Sequence, residues 1–396
     1  MITLDTALDI LRARLTALGA ETVPLSSGAG RTLANGVSAR RTQPPFHASA
    51  MDGYAVRASD LGRGETRLTL SGEAAAGHAS EKPLRAGEAM RISTGAPVPA
   101  GADQVVIQEN TRCEGSDIWL TDESKPGKNI RMAGTDFEAG TELLRAGDRI
   151  TPAALSLAAS SGATEFSVTR RPLVAILSTG DELVEPGDAT RPDQIINSLA
   201  PAIAAMVSAW GGEPSYLGIA RDDTADVRDK LGQLGSADLL VTIGGASVGD
   251  HDHLRAVFGE MGGQLAFEKI AVKPGKPTWF GQLDDTYTLG LPGNPVSAMV
   301  MARLCLKTAL TGLLGGHDTP LFTPARLGVD LPANGARETF VRARLDAASG
   351  RVAPLSNQDS SAASALVASN CLIRRPANAP AAGCGDRTQI LMLDHP

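Results

Sequence analysis

The stretches LVAILSTGDELVEPGD (173–188), LLVTIGGASVGDHD (239–252) and YTLGLPGNPVS (287–297) share one design. In each, a short apolar run breaks into a polar, glycine-rich loop, and a helical pattern follows. The spacing predicts helices over Leu199–Trp210, Thr224–Leu234 and Asp252–Met261, and another running through Leu310. A further strand is expected around Tyr216–Ile219, and one more in LAFEKIAV (265–272), which leads into the loop KPGKP (273–277). Alternating β and α units of this size imply a doubly wound, mostly parallel sheet with helices on both faces. In such sheets ligands sit outside the carboxyl ends of the strands, which is where these loops fall.

Outward from this centre the texture changes. Leu4, Leu8, Leu11, Leu15 and Leu18 recur at helical spacing up to Gly19, and a second apolar helix is expected at Pro152–Ser160, packed on the first. Between about 44 and 150, short runs (Leu68–Leu70, Ala89–Ile92, Val105–Gln108, Ile118–Leu120) alternate with glycines, as in a small β-rich domain. The tail from about 320 reads as a second β domain, with FVRARL, VAPL, CLIRRP and TQILML as strands and QDSSAASALVASN as either helix or loop.

The 396 residues suffice for several domains. Glycine is enriched at 43 residues, so turns are many, and a formal charge of −7 argues against a protein that holds nucleic acid or an anionic membrane by bulk charge. Cys113, Cys305, Cys371 and Cys384 form no C-x-x-C pair, which fits a reducing compartment. Charged residues interrupt the N-terminal apolar positions, and Arg303 and Lys307 interrupt the most apolar later stretch, 295–314. The expectation is a cytoplasmic protein with no membrane partner.

Familiar nucleotide templates fail. GKPT (275–278) lacks the first glycine of a Walker A loop, Ile270 standing there, and GGASVG (244–249) has Ala246 where a dinucleotide fingerprint needs glycine. His251 and His253 suit a solvated or capping role better than a metal site. What remains are loops with clear chemistry. Asp181 and Glu182 offer hard oxygens suited to Mg²⁺, or a helix cap and first-turn acid. Gly244, Gly245 and Gly249 suit either backbone approach to an anion or a tight turn. Lys273 and Lys276, enclosed by prolines, suit an oxyanion. Asn294 and Ser297 open a helix in PGNPVS. Asp52–Gly53 alone reads as a hairpin turn.

Taken together, SAMDGYA (49–55), RISTGAPVP (91–99), NIRMAGTD (129–136), LSTGDEL (177–183), GGASVGDHD (244–252), AVKPGKP (271–277) and GLPGNPVSA (290–298) closely resemble the molybdopterin molybdenumtransferase (MoeA) family, related to the E domain of gephyrin. The resemblance implies four domains: a discontinuous helical and linker domain (1–43 and 139–170), a β-rich insertion (44–138), a molybdopterin-binding α/β domain (171–318) and a C-terminal β-barrel-like domain (319–396). It implies Mg²⁺-dependent insertion of molybdenum from molybdate into adenylylated molybdopterin, with AMP and molybdenum cofactor as products. By position, Asp52, Thr94, Arg131, Asp136, Glu182 and Asp252 match residues implicated in activity, with Asp136 and Glu182 as metal ligands. Gly244, Gly245, Ser247 and Gly249 match the pterin- and phosphate-facing loop. Lys273, Lys276 and Ser297 match residues that hold molybdate, and Pro292, Gly293 and Asn294 belong to the same ligand-binding set. Gln358, Ser360 and Ser364 resemble a further family element. A homodimer is implied, each site being shared between subunits, with a molybdopterin adenylyltransferase and molybdoenzyme maturation proteins as partners. A non-catalytic pterin-binding scaffold and a tungstate-specific enzyme are the competing readings. One departure is INSLAP, where Leu199 replaces an asparagine common in the family, so that a polar ligand contact is expected to be missing.

Overall fold

The computed structural model describes residues 1–245, 253–317 and 321–393. Ser247, Gly249 and Asp252 lie outside the described residues.

The central sheet has six strands in the order Glu213–Ala220, Leu173–Thr179, Leu239–Ile243, Thr286–Leu291, Trp279–Leu283 and Gln264–Phe267. The first four are mutually parallel, Trp279–Leu283 runs antiparallel to them, and Gln264–Phe267 at the edge is antiparallel to Trp279–Leu283. Alternate residues of Leu173–Thr179 serve two cores: Val174 and Ile176 join Ile203, Val241, Leu289 and Met301, while Ala175 and Leu177 join Val227, Leu231, Leu240 and Phe258. Helices therefore cover both faces, and LLVTI is buried at every residue, as a strand with two covered faces must be.

LAFEKIAV is not one strand. Gln264–Phe267 closes the sheet edge, Glu268 and Lys269 break the apolar run as the chain leaves it, and Val272–Lys273 pairs in parallel with Glu338–Thr339 of the C-terminal domain. The strand Trp279–Leu283 carried no sequence expectation.

Pro295–Leu313 is one continuous helical run with a π-helical segment at Ala302–Leu306. Its length and hydropathy would let it cross a membrane, but 78% of its most apolar window is buried inside the protein, which makes it the core helix of this domain. The first helix, Leu4–Arg14, is capped by the Thr3 hydroxyl and ends where Leu15 turns extended, short of Gly19. Leu4, Leu8 and Leu11 are buried in the core that holds Leu306 and Leu310. Pro152–Ser160 instead closes a separate core with Leu33, Ile150 and Phe166, so the expected packing of these two helices on each other is not found.

The β-rich segment holds a six-stranded sheet ordered Gln104–Ile107, Gly53–Val56, Glu88–Ile92, Glu65–Ala74, Asp117–Thr121 and Thr111–Glu114. Asp52–Gly53 is no hairpin turn here; it enters an interior strand. Gly53 is needed because a methyl group there would overlap the Val106 carbonyl of the neighbouring strand.

In the tail, Glu338–Leu345, Arg351–Pro354, Thr323–Leu327, Arg387–Met392 and Cys371–Arg375 pair in that order, and the last returns to the first. Five strands thus close a barrel, which leaves no free edge among them. The QDSSAASALVASN stretch contains the short helix Ala363–Ala368.

Candidate active site

The carboxyl ends of the parallel strands converge on one cleft of about 750 Å³. Thr179, Gly180 and Glu182 arrive from Leu173–Thr179, Asp222 follows Glu213–Ala220, Gly244 and Gly245 follow Leu239–Ile243, and Pro292, Gly293 and Asn294 follow Thr286–Leu291. Gly244 and Gly245 have φ of 91° and 59°, where glycine is at ease. A methyl group on Gly244 would also press to 2.6 Å from the Thr179 carbonyl. The Thr179 hydroxyl is buried with no hydrogen-bond partner among the described residues, although it lines the cleft. A buried donor left in that state fits a position completed by ligand or water.

Asn197, Ser198 and Leu199 also line this cleft. The departure at Leu199 is apolar as expected, and Leu199 opens the next helix. Asn197, two residues earlier, is a polar residue that lines the same cleft.

A second cavity of about 630 Å³ lies between the sheet domain and the barrel. Lys273, Gly275, Lys276 and Ser297 line one side; Asn334, Arg337, Thr339, Gln358, Ser360 and Arg375 line the other. No aspartate or glutamate is among its lining residues, whereas four cationic residues are; Arg337 also donates to the Val272 carbonyl, and Arg375 to those of Pro332 and Pro380. That composition suits an anion. Pro277 belongs to both cavities, and Ser360 and Ser361 stand one in each, so the two abut. The Val296 amide donates to the Ser360 carbonyl at 3.0 Å, fixing the barrel loop against the helix start that carries Ser297.

The sequence-based residues therefore fall into groups. Glu182, Gly244, Gly245, Pro292, Gly293 and Asn294 meet in the cleft, while Lys273, Lys276, Ser297, Gln358 and Ser360 meet in the cationic cavity. Ser364 lines neither. Asp52, Thr94, Arg131 and Asp136 are exposed on the insertion domain and line neither cavity of their own chain. Among the described residues no cluster of three potential metal-ligating side chains occurs, so Asp136 and Glu182 do not form such a cluster within one chain. Asp222, Asn197, Arg337 and Arg375 were not anticipated. The ARDD loop after a predicted strand carried the signal for Asp222, whereas the two arginines reach the cavity only because the barrel closes beside it.

Asp52 and Thr94 do come together. The Thr94 amide donates to Asp52 Oδ1 at 2.6 Å. This bond, then one from the Thr94 side chain, holds the Asp52 carboxyl below its ordinary range, with a smaller push from Arg91. Because the folded-state pKa is depressed, the contribution of this contact to stability is present above the ordinary carboxylate pKa and is lost as pH falls through the depressed value. An NMR titration following the Asp52 carboxyl carbon should give a midpoint below that of an unstructured aspartate; an equal or higher midpoint contradicts the bond.

Family models match nearly the whole chain: "MoeA N-terminal region (domain I and II)" over 2–162, "Probable molybdopterin binding domain" over 175–312 and "MoeA C-terminal region (domain IV)" over 324–393. The chain is 38% identical to a molybdopterin molybdenumtransferase of Haemophilus influenzae, across 80% of this chain and 78% of that one. It is 33% identical to the protein of that name from Bacillus subtilis, across 94% and 90%. Among solved structures, a molybdopterin biosynthesis MoeA protein from Pyrococcus horikoshii superposes with a TM-score of 0.87 at 26% identity, covering 99% of this chain and all of that one. By these matches and by its fold, the chain belongs to the molybdopterin molybdenumtransferase (MoeA) family.

Proposed function

We propose that this protein inserts molybdenum from molybdate into adenylylated molybdopterin with the help of Mg²⁺, releasing AMP and completing the molybdenum cofactor in the cytoplasm. The observation that carries the reading is the contact between two unlike cavities, one walled by glycine turns at strand ends and one walled by cations. A pterin carrying phosphates suits the first, where exposed backbone can approach an anion. Molybdate, a compact dianion, suits the second, where Lys273, Lys276, Arg337 and Arg375 can donate to its oxygens. With both bound, metal transfer becomes a reaction between neighbours rather than a bimolecular encounter.

Glu182 and Asp222 give the cleft two carboxylates, a donor set that suits Mg²⁺ when substrate phosphates and water fill its remaining positions. The ion would neutralise phosphate charge as the pyrophosphate link is opened by water. The protein's own part is to hold the phosphates with the Gly244 and Gly245 backbone, place Asn294 and Ser297 at the start of the core helix, and keep molybdate beside the pterin. In this reading the protein is a homodimer, and Asp52, Thr94, Arg131 and Asp136 of one subunit complete the cleft of the other. A molybdopterin adenylyltransferase supplies the substrate, and molybdoenzyme maturation proteins take up the product.

The test is to give the purified protein adenylylated molybdopterin, molybdate and Mg²⁺ and follow both AMP and active cofactor. Tight pterin binding without AMP release would turn the reading to a non-catalytic scaffold, and activity with tungstate but not molybdate would reassign the metal. Glu182→Ala is expected to lower turnover about 100-fold or more while pterin binding changes little. Equal loss of both would remove Glu182 from the chemistry.

A further inference from the structure

A chain of polar side chains runs from the surface to the wall of the cleft. Tyr216 Oη donates to Glu185 Oε1 at 2.7 Å and accepts from Asn197 Nδ2 at 2.7 Å. On its other side Asn197 Oδ1 accepts from the Ser178 hydroxyl at 3.2 Å and from the Ala200 amide at 3.4 Å. Ser178 and Asn197 are buried, and Asn197 lines the cleft.

The directions in this chain are not interchangeable. A backbone amide can only donate, so Ala200 fixes which end of the Asn197 side chain is the oxygen. A carboxylate can only accept, so Glu185 claims the Tyr216 proton and leaves the phenol oxygen as an acceptor toward Asn197. Although the Tyr216 ring is partly exposed, desolvation of its hydroxyl, followed by the bond to Glu185 and its charge, raises the Tyr216 pKa above its ordinary value against smaller opposing bonds from Ser178 and Asn197, so the phenol keeps its proton at neutral pH. One Asn197 N–H is thereby committed to Tyr216, both carbonyl lone pairs are occupied, and the second N–H is the group left over on a residue of the cleft wall.

We propose that Glu185 and Tyr216 are positioning residues that lock the Asn197 amide so that it presents an N–H donor to an acceptor oxygen of the ligand in the cleft. The inference rests on the reading of that cleft as the site for adenylylated molybdopterin. It also gives the INSLAP segment a recognition role that Leu199 cannot fill.

Tyr216→Phe keeps the ring and removes the hydroxyl, freeing the Asn197 amide to turn. It is expected to raise the KM and the dissociation constant for adenylylated molybdopterin roughly tenfold, with kcat within about twofold of the parent. Glu185→Ala should reproduce the effect, and Glu185→Gln, whose carbonyl oxygen can still accept from Tyr216, should restore most of the affinity. A purely structural role would instead lower kcat and thermal stability together, and Glu185→Gln would show no rescue. Calorimetric titrations with AMP and with the complete pterin nucleotide tell which half is held: weaker AMP binding in Tyr216→Phe places the contact on the phosphate, and a loss confined to the complete ligand places it on the pterin. If the parent binds the pterin nucleotide and Tyr216→Phe binds it equally well, the relay is refuted while the reading of the cleft stands. If the parent binds no pterin nucleotide, the reading of the cleft fails and the relay falls with it.

Discussion

Replacing Lys273 and Lys276 together by alanine should nearly abolish molybdenum insertion at low molybdate while leaving pterin binding in place. The two ammonium groups are half of the cationic side chains around a cavity with no acidic wall residue. A hydrogen bond to a charged group contributes about 1.5–3 kcal/mol, so losing two should raise the molybdate requirement roughly 10²- to 10⁴-fold. The substitutions leave Pro274, Gly275 and Pro277 to shape the loop, and Gly275 stays buried against Met301. Product formation measured against molybdate concentration gives the answer. Recovery at high molybdate supports a lost binding contribution, and an unchanged KM for molybdate would place the oxyanion elsewhere.

Gly290→Ala is expected to have the largest effect on folding. Gly290 lies directly opposite Trp279 in the antiparallel pair that joins the parallel strands to the sheet edge. The Trp279 indole lies across it, fully buried, with Phe258 edge-on at 5.2 Å, and a methyl group on Gly290 would fall within that ring. The indole is fully buried and packed against Phe258, so overpacking should cost about 3 kcal/mol or more. Thermal denaturation followed by near-ultraviolet dichroism should show an early loss of the tryptophan signal. Gly259→Ala is the control, because Gly259 sits in a helix with open space around it. An alanine there should stabilise the helix by up to about 1 kcal/mol. Equal midpoints for the two variants would refute the packing argument.

The physics that made parts of this molecule legible is local. LLVTI could be bounded to the residue because burial on both faces leaves an unbroken apolar run, and Pro152–Ser160 because a threonine cap and a first-turn proline mark its start. LAFEKIAV misled because apolar content says nothing about which sheet a strand joins. Asp52–Gly53 misled because the same dipeptide that permits a tight turn also permits close approach between strands, and only the neighbouring Val106 decides between them. The loops holding Glu182, Gly244 and Asn294 could be read as a set since they follow parallel strands of one sheet, whereas Lys273 lies on a strand that pairs with the barrel and lines the neighbouring cavity. Asn197, Arg337 and Arg375 could not, because their meaning comes from a tyrosine on the next strand and from barrel closure far along the chain.

The short strand Val272–Lys273 lies in the sequence of the α/β domain, yet its backbone pairs with Glu338 and Thr339 of the barrel. The lysine loop is thus tied mechanically to the C-terminal domain, while the glycine turns of the cleft ride on the central sheet. In the proposed reading, a small rotation of the barrel would shift Lys273, Arg337 and Arg375 relative to Ser297 and to the glycine turns that face the pterin. Substitutions on the barrel's outer loops could therefore retune which oxyanion is accepted, and how close it comes, without altering any residue that touches the organic half of the site.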